Sequence, residues 1–522
     1  MVSLLRTIRV SPDGKLYNAS RVHYPSLAFA AMLVGLLISL SRLSGGVGLS
    51  PDPTIYIVGA QHLIEHGEWT HRVNWPSKSM DPEYEPYSDH APGYAAYLVP
   101  FILVLEDLYT AATVAHGFAV SLSFLSLYFL LQVLRFGFLY QLFIYFSFTC
   151  LDTFALIQSY YVTEPLFIAF SFLGASFTLL SITDHGNRWH WLVVGASFLI
   201  ASTIKHIGVF NMAWIILPIL IRGRSRLPHF ILIGMCCIGP VAGWLIWNKF
   251  IHGTVSFSHK IGETNFTDDL LRPIFFFGQE FFSISSRSWP GFFLMILIGL
   301  TILSPLYFHK TFLRELKAGR LTIELQMHLI LVLAFVSHFL GIWTLSLFTH
   351  FSWLDDRLLA PSIAIGLVAT FSALNLLAGF VRSQYASSLV LVPVLLFFTV
   401  SDRLDLPHLP PDNLHIQDPP EKELWRTLAE MGISTEATHF YSDYCFSHHV
   451  FSNIPQRIIW NEEDYAVEQI RSLMNKGSRP FFVFKAEADE RVAFEQSWYK
   501  ANAKAQEPFL TNGYAVYHQL IR

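Results

Sequence analysis

Six stretches of the chain place ionisable residues where apolar segments end. Asp52 lies in "SPDPTIYIVGAQHL", Asp89 and His90 in "SDHAPGY", Glu164 in "YYVTEPLF", Lys205 and His206 in "STIKHIG", His259 and Glu263 in "SHKIGE", and Asp355, Asp356 and Arg357 in "WLDDRLLAP". Charge at the edge of a bilayer is costly, so each is a candidate for function. A carboxylate there can deprotonate a hydroxyl acceptor or hold a divalent cation, whereas Lys and Arg can neutralise a phosphate leaving group. A phosphate at a membrane edge points to a lipid-linked donor, its tail lodged between apolar helices. Structural readings stand beside these. Asp52 can be a helix N-cap with Pro53 as the first helical residue, and Thr163 can cap a helix whose first turn holds Glu164 and Pro165. Lys205 and His206, set between two short apolar segments, need snorkelling or a partner. The Asp355–Arg357 turn can be a local ion pair. Independent caps should scatter over both membrane faces; these groups collect on one.

The elements that must position them are apolar helices. Of 522 residues, 52% are hydrophobic and only 14% charged, against about 25% charged in soluble proteins, so the chain reads as a polytopic all-α membrane protein. Eleven spans are expected: 25–43, 110–134, 138–158, 163–182, 190–204, 206–221, 228–248, 290–308, 325–347, 358–381 and 386–401. The fifth and sixth meet at Lys205–His206 and can also be one broken helix. Residues 91–105, with Pro92 and Pro100, are too short to cross and read as interfacial.

Basic residues fix the orientation. With residues 1–24 cytoplasmic, the inner loops collect Arg135, Arg188, Arg222, Arg224, Arg226, Lys310, Arg314, Lys317, Arg320 and Arg382, as positive-inside bias requires. The outer loop 44–109 and the tail 402–522 then lie outside, and 25–401, that loop included, forms the transmembrane domain. Beyond a Pro-rich linker the tail alternates short elements. Helices are expected at 424–432, 463–477 and 489–503, and strands at 437–442, 457–460, 480–486 and 513–521, which make a small soluble α/β domain.

A net charge of −4 without Lys/Arg tracts excludes nucleic acid as a partner. Four cysteines, three inside apolar runs, give no disulfide framework or metal spacing. Asp443, His448 and His449 lack further ligands at firm spacing for a zinc site. A transporter or flippase of a lipid-linked solute would show related halves or several midplane charges, and neither is evident. A glycan polymerase or ligase stays open through His252, His259, Lys260, Arg272 and Arg287 of the long outer loop.

The stretches also resemble a known group. An acid after the first span followed by Tyr56, Ala60, Leu63 and Gly67, then "HAPGY" at 90–94, "TEPLF" at 163–167, "STIKHIG" at 202–208 and "RLLAP" at 357–361, resemble the GT-C superfamily of polyprenyl-phosphate-sugar-dependent glycosyltransferases. The likeness is greatest to the branch of protein mannosyltransferases and aminoarabinose transferases. It runs through about residues 25–400. It implies inverting transfer of a sugar from an isoprenoid phosphate to a glycan, lipid or protein acceptor on the outer face of a bacterial inner membrane. By analogy Asp52 is the general base, Glu164 a second acid near the acceptor or a divalent cation, Lys205 and Arg357 the ligands of the carrier phosphate, and His90 a group that positions the first loop or the phosphate, with Tyr94 and His206 also binding substrate. Asp52–Pro53 replaces the Asp-Glu usual in protein mannosyltransferases, and His90-Ala91-Pro92 their His-Pro-Pro.

Overall fold

The computed structural model describes residues 25–252 with short gaps, 322–348, 356–380, isolated positions at 299 and 303, and in the tail part of 424–430 and strands between 440 and 518. Its helices are α1 (Pro25–Ser41), α2 (Pro51–His66), α3 (Gly93–Leu105), α4 (Leu108–Val133), α5 (Phe138–Cys150), α6 (Asp152–Ser159), α7 (Glu164–Thr183), α8 (Arg188–Ile204), α9 (Ala213–Arg222), α10 (Leu227–His252), α11 (Ile323–Phe348) and α12 (Asp356–Phe380). A 3₁₀ helix, His206–Met212, joins α8 to α9. The protein is a multi-pass membrane protein. Among the described residues, α4, α7, α10, α11 and α12 are each long and apolar enough to cross a bilayer, and the bent pair α5–α6 is so only when its two helices are taken together. The span expected at 386–401 and the tail helices expected at 463–477 and 489–503 lie outside the described residues, as does the span expected at 290–308 apart from positions 299 and 303.

Local sequence explains several boundaries. The Asp107 carboxylate accepts a hydrogen bond from the Thr110 N–H at 2.7 Å and caps α4. The span expected at 138–158 is broken at Leu151, whose extended backbone leaves α5 and α6 at 61°. Helix α2 begins at Pro51, so Asp52 stands within the first turn and is not the residue ahead of it. Both prolines are tolerated there because first-turn N–H groups have no intrahelical acceptor.

Helix α7 is an interior element. It packs along α4 and α8 and touches α9, α11 and α12, and most of its surface is buried. Helix α10 is the opposite case: among the described residues nothing covers Ile231, Leu232, Met235 and Phe250, an apolar surface suited to hydrocarbon. Because every backbone group of a spanning helix is bonded internally, apolar exposure on α10 is stable in lipid and would be a liability in water.

Two sheets accompany the helices. In the first outer loop β1 (Thr70–His71) pairs antiparallel with β3 (Glu85–Pro86). The tail strands β4 (Phe440–Ser442), β5 (Gln456–Ile458), β6 (Phe481–Lys485), β7 (Phe509–Thr511) and β8 (Tyr514–His518) form a mixed sheet with β2 (Val73–Asn74), in the order β2-β5-β4-β6-β8-β7. Strands β5, β4 and β6 are parallel, and β8 runs antiparallel to β6 and β7. Four of the tail strands fall where expected. The edge strand β2 was not expected: it comes from the first loop and pairs parallel with β5, Val73 opposite Gln456 and Asn74 opposite Arg457.

Candidate functional site

Three chain segments converge at one end of α7. The first is the start of α7 itself. The Thr163 carbonyl accepts from the Phe167 N–H at 2.9 Å, the first bond of the helix, and Glu164 occupies the first turn, where the helix dipole favours a carboxylate. Its side chain is buried.

The second segment is the break after α8. Lys205 is extended, at φ −143° and ψ 135°. Its N–H still donates to the Ala201 carbonyl at 3.0 Å, and its carbonyl accepts from the Gly208 N–H at 2.9 Å. The chain therefore leaves one helix and enters the next at this residue. The Lys205 ammonium donates to Glu164 Oε1, while Glu164 Oε2 accepts from the Thr163 hydroxyl at 3.4 Å. The partner that Lys205 required is thus Glu164. Snorkelling is not its role. With side chains 13% and 5% exposed, removing either member leaves the other charged in a poorly solvated place, which costs about 3–5 kcal/mol. An ammonium has three donors, and one is used by Glu164.

The third segment, "HAPGY", is brought here by a glycine. A Cβ on Gly93 would lie 2.5 Å from the Thr203 carbonyl carbon and oxygen and 2.8 Å from the Ile204 nitrogen. The start of α3 therefore rests backbone on backbone against the end of α8, one residue before Lys205. The Tyr94 ring is within electrostatic reach of Glu164, and His206 within reach of His90. Tyr94 is 1% exposed, and its hydroxyl has no partner among the described residues. An unmatched buried hydroxyl costs about 1–3 kcal/mol.

Helix α2 closes the site. Tyr56 sets its ring 5.1 Å from that of His90 and 5.2 Å from that of Tyr94, both edge to face. Tyr87 lies 6.1 Å from His90, seated where a Cβ on Gly59 would meet its ring at 2.5 Å. Tyr56 is 7% exposed and packed into this cluster.

Of the residues singled out by sequence, the structure brings together Glu164, Lys205, His90, Tyr94 and His206. Asp52 stands one turn before Tyr56 on α2, and Arg357 is the second residue of α12; their side chains lie outside the described residues, as do Asp89, His259, Glu263 and Asp355. Among the described residues no three His, Cys, Asp or Glu side chains group to hold a metal ion, and Glu164 is engaged by Lys205. Sequence reasoning missed Tyr56 and Tyr87 as site walls. The tyrosines around "HAPGY" were the available signal.

No family model matches the sequence, and no curated protein does. Solved structures do match its fold. ArnT from Cupriavidus metallidurans in the apo state aligns over 94% of this chain and 98% of its own, with a TM-score of 0.57 and 10% identity. The same protein bound to undecaprenyl phosphate aligns over 95% and 98%, with a TM-score of 0.57 and 12% identity. The archaeal oligosaccharyltransferase AglB from Archaeoglobus fulgidus, in complex with an inhibitory peptide and a dolichol-phosphate, aligns over 94% of this chain and 74% of its own, with a TM-score of 0.51 and 11% identity. The chain therefore shares the overall fold of ArnT and AglB.

Proposed function

We propose that this protein is a membrane glycosyltransferase that moves a sugar from a polyprenyl-phosphate carrier to a hydroxyl acceptor on the outer face of a bacterial inner membrane. The observation that carries the reading is the buried Glu164–Lys205 pair beside the unmatched Tyr94 hydroxyl, in a fold shared with a protein solved with undecaprenyl phosphate. In this reading Lys205 turns its remaining donors to the carrier phosphate and Glu164 holds the ammonium in place. Arg357, at the start of α12, adds a second cation. His90, Tyr94 and His206 line the donor, and Tyr56 walls the same space.

The chemistry is an inverting displacement. The acceptor oxygen bonds to the anomeric carbon, the bond from that carbon to the phosphate oxygen breaks, and polyprenyl phosphate leaves with the electron pair. Asp52 takes the acceptor proton. Positions 52 and 56 are one helical turn apart on α2, the spacing that suits a base on the helix that carries Tyr56. Cationic neutralisation of the leaving phosphate supplies the main barrier lowering, and the base adds about 10²–10⁴-fold. Glu164 and Asp52 are the carboxylates suited to a divalent cation, but the proton step is assigned without one because Lys205 engages Glu164. The membrane domain, 25–401, performs the reaction, and the tail, 402–522, is an extracytoplasmic α/β domain.

The test is transfer from synthetic polyprenyl-phosphate sugars by the purified chain in nanodiscs. Transfer with at least one donor, lost in Asp52→Asn while polyprenyl phosphate still binds, is the expected result. Parent-like transfer by Asp52→Asn contradicts the base assignment.

A further inference from the structure

A second polar contact lies deeper between the same elements. On α7, Ser171 is buried and its hydroxyl accepts from the Asn211 amide at 3.1 Å. On the 3₁₀ helix, Asn211 is fully buried, and its carbonyl oxygen lies 3.1 Å from Nε2 of His338 on α11. Acceptance by that oxygen places the proton on Nε2. His338 is fully buried between the rings of Phe167 and Phe210, at 6.2 Å and 6.0 Å.

The spacing relates this contact to the site. Along α7, Ser171 follows Glu164 by about 10.5 Å, seven residues at about 1.5 Å each. Along the 3₁₀ helix, Asn211 follows Lys205 by about 12 Å, six residues at about 2.0 Å each. Seven residues is close to two α-helical turns and six is two 3₁₀ turns, so each pair lies on one face of its helix. The two elements are therefore tied at two matched levels, Glu164–Lys205 above and Ser171–Asn211 below, with His338 closing the lower one. A 3₁₀ helix of seven residues exceeds the usual three or four and needs such support. It is clamped elsewhere as well: a Cβ on Gly208 would lie 2.6 Å from Ser202 Cα, and one on Gly341 of α11 would lie 2.3 Å from the Phe210 ring.

We infer that Ser171, Asn211 and His338 are positioning residues that hold the 3₁₀ helix against α7 and so aim the Lys205 ammonium at the site. The inference deepens the proposed function and rests on it for the identity of the ligand. The aiming itself is testable without one. A buried amide satisfied on both sides fixes a register that apolar packing alone would leave free to slide.

The test is a double-mutant cycle on Glu164→Gln and Lys205→Met, read as apparent melting temperature of the full chain in nanodiscs and repeated in an Asn211→Leu background. In the native background the double variant should melt several degrees above the sum of the single losses. In Asn211→Leu that coupling should vanish. Ser171→Ala, a milder change that serves if Asn211→Leu fails to fold, should weaken the coupling. Ser171→Thr, which keeps the hydroxyl, and His338→Gln, which keeps a donor at the Nε2 position, should preserve it. The same coupling in Asn211→Leu, or in Ser171→Ala, overturns the inference, as does zero coupling in the native background. Decaprenyl phosphate binding is then measured in the same discs, where Asn211→Leu should weaken it about tenfold. A parent that shows the coupling but binds no decaprenyl phosphate refutes the functional reading and leaves the positioning established. Unchanged binding in Asn211→Leu refutes the positioning.

Discussion

Gly93→Ala should disable the protein without unfolding it. The added methyl would stand 2.5 Å from the Thr203 carbonyl and 2.8 Å from the Ile204 nitrogen, and both obstacles are backbone, so no side-chain rotation relieves the clash. Tolerable contact begins near 3.4 Å, hence the start of α3 must retreat from the end of α8 by about 0.9 Å. Overpacking of this kind costs typically about 1–3 kcal/mol. A misplacement of about 1 Å near reacting groups costs about 10²-fold in rate. The retreat separates His90 and Tyr94 from Lys205, so transfer should fall by about that factor, while apparent melting drops by a few degrees. The assay is initial-rate transfer in nanodiscs beside a thermal scan. Gly239→Ala is the control: a Cβ there meets nothing within 4 Å, and Ala in place of a helical Gly stabilises by up to about 1 kcal/mol. Parent-like transfer by Gly93→Ala would refute the reasoning that this backbone contact sets the site.

Three further outcomes are expected. Tyr94→Phe deletes a buried hydroxyl without a partner among the described residues, so melting should be unchanged or raised, while kcat/KM for the donor falls about tenfold; a loss of stability would mean the hydroxyl is structurally engaged. Arg42 is 4% exposed and bonds Gln158 Oε1 at 2.9 Å; Gln158→Leu should therefore destabilise by about 1–3 kcal/mol, Arg42→Met together with Gln158→Leu should recover most of it, and a thermal scan of both variants decides. Asn74→Cys with Arg457→Cys, in a chain whose four native cysteines are replaced by Ser, should form a disulfide on oxidation, because register partners on adjacent strands stand about 4.8 Å apart; absence of the crosslink on a non-reducing gel would contradict pairing of the first loop with the tail sheet.

The sequence carried the fold class because lipid imposes one strong rule: apolar segments of spanning length must be helices. It carried Glu164 and Lys205 because charge at a span end is conspicuous. It could not say that the two meet, since the contact joins α7 to the end of α8 across the fold and leaves no periodicity. The same applies to Gly93, whose importance lies in a backbone approach from Thr203, and to β2, a two-residue strand too short for any alternation to register. The contact of Tyr56 with His90 and Tyr94 was not legible, because a helical stripe gives a face but not what covers it. Asn211 and His338 stood in plain view as polar residues inside apolar runs, where burial without a partner is expensive. The break at Leu151 had no proline or glycine to announce it.

The proposed role of the Glu164–Lys205 pair is to hold a carrier phosphate. Equilibrium binding of undecaprenyl phosphate to the purified chain in nanodiscs, parent against Lys205→Met, measures it. Saturable binding by the parent and at least tenfold weaker binding by Lys205→Met are expected. Equal affinity of the two, or no saturable binding by the parent, would contradict it.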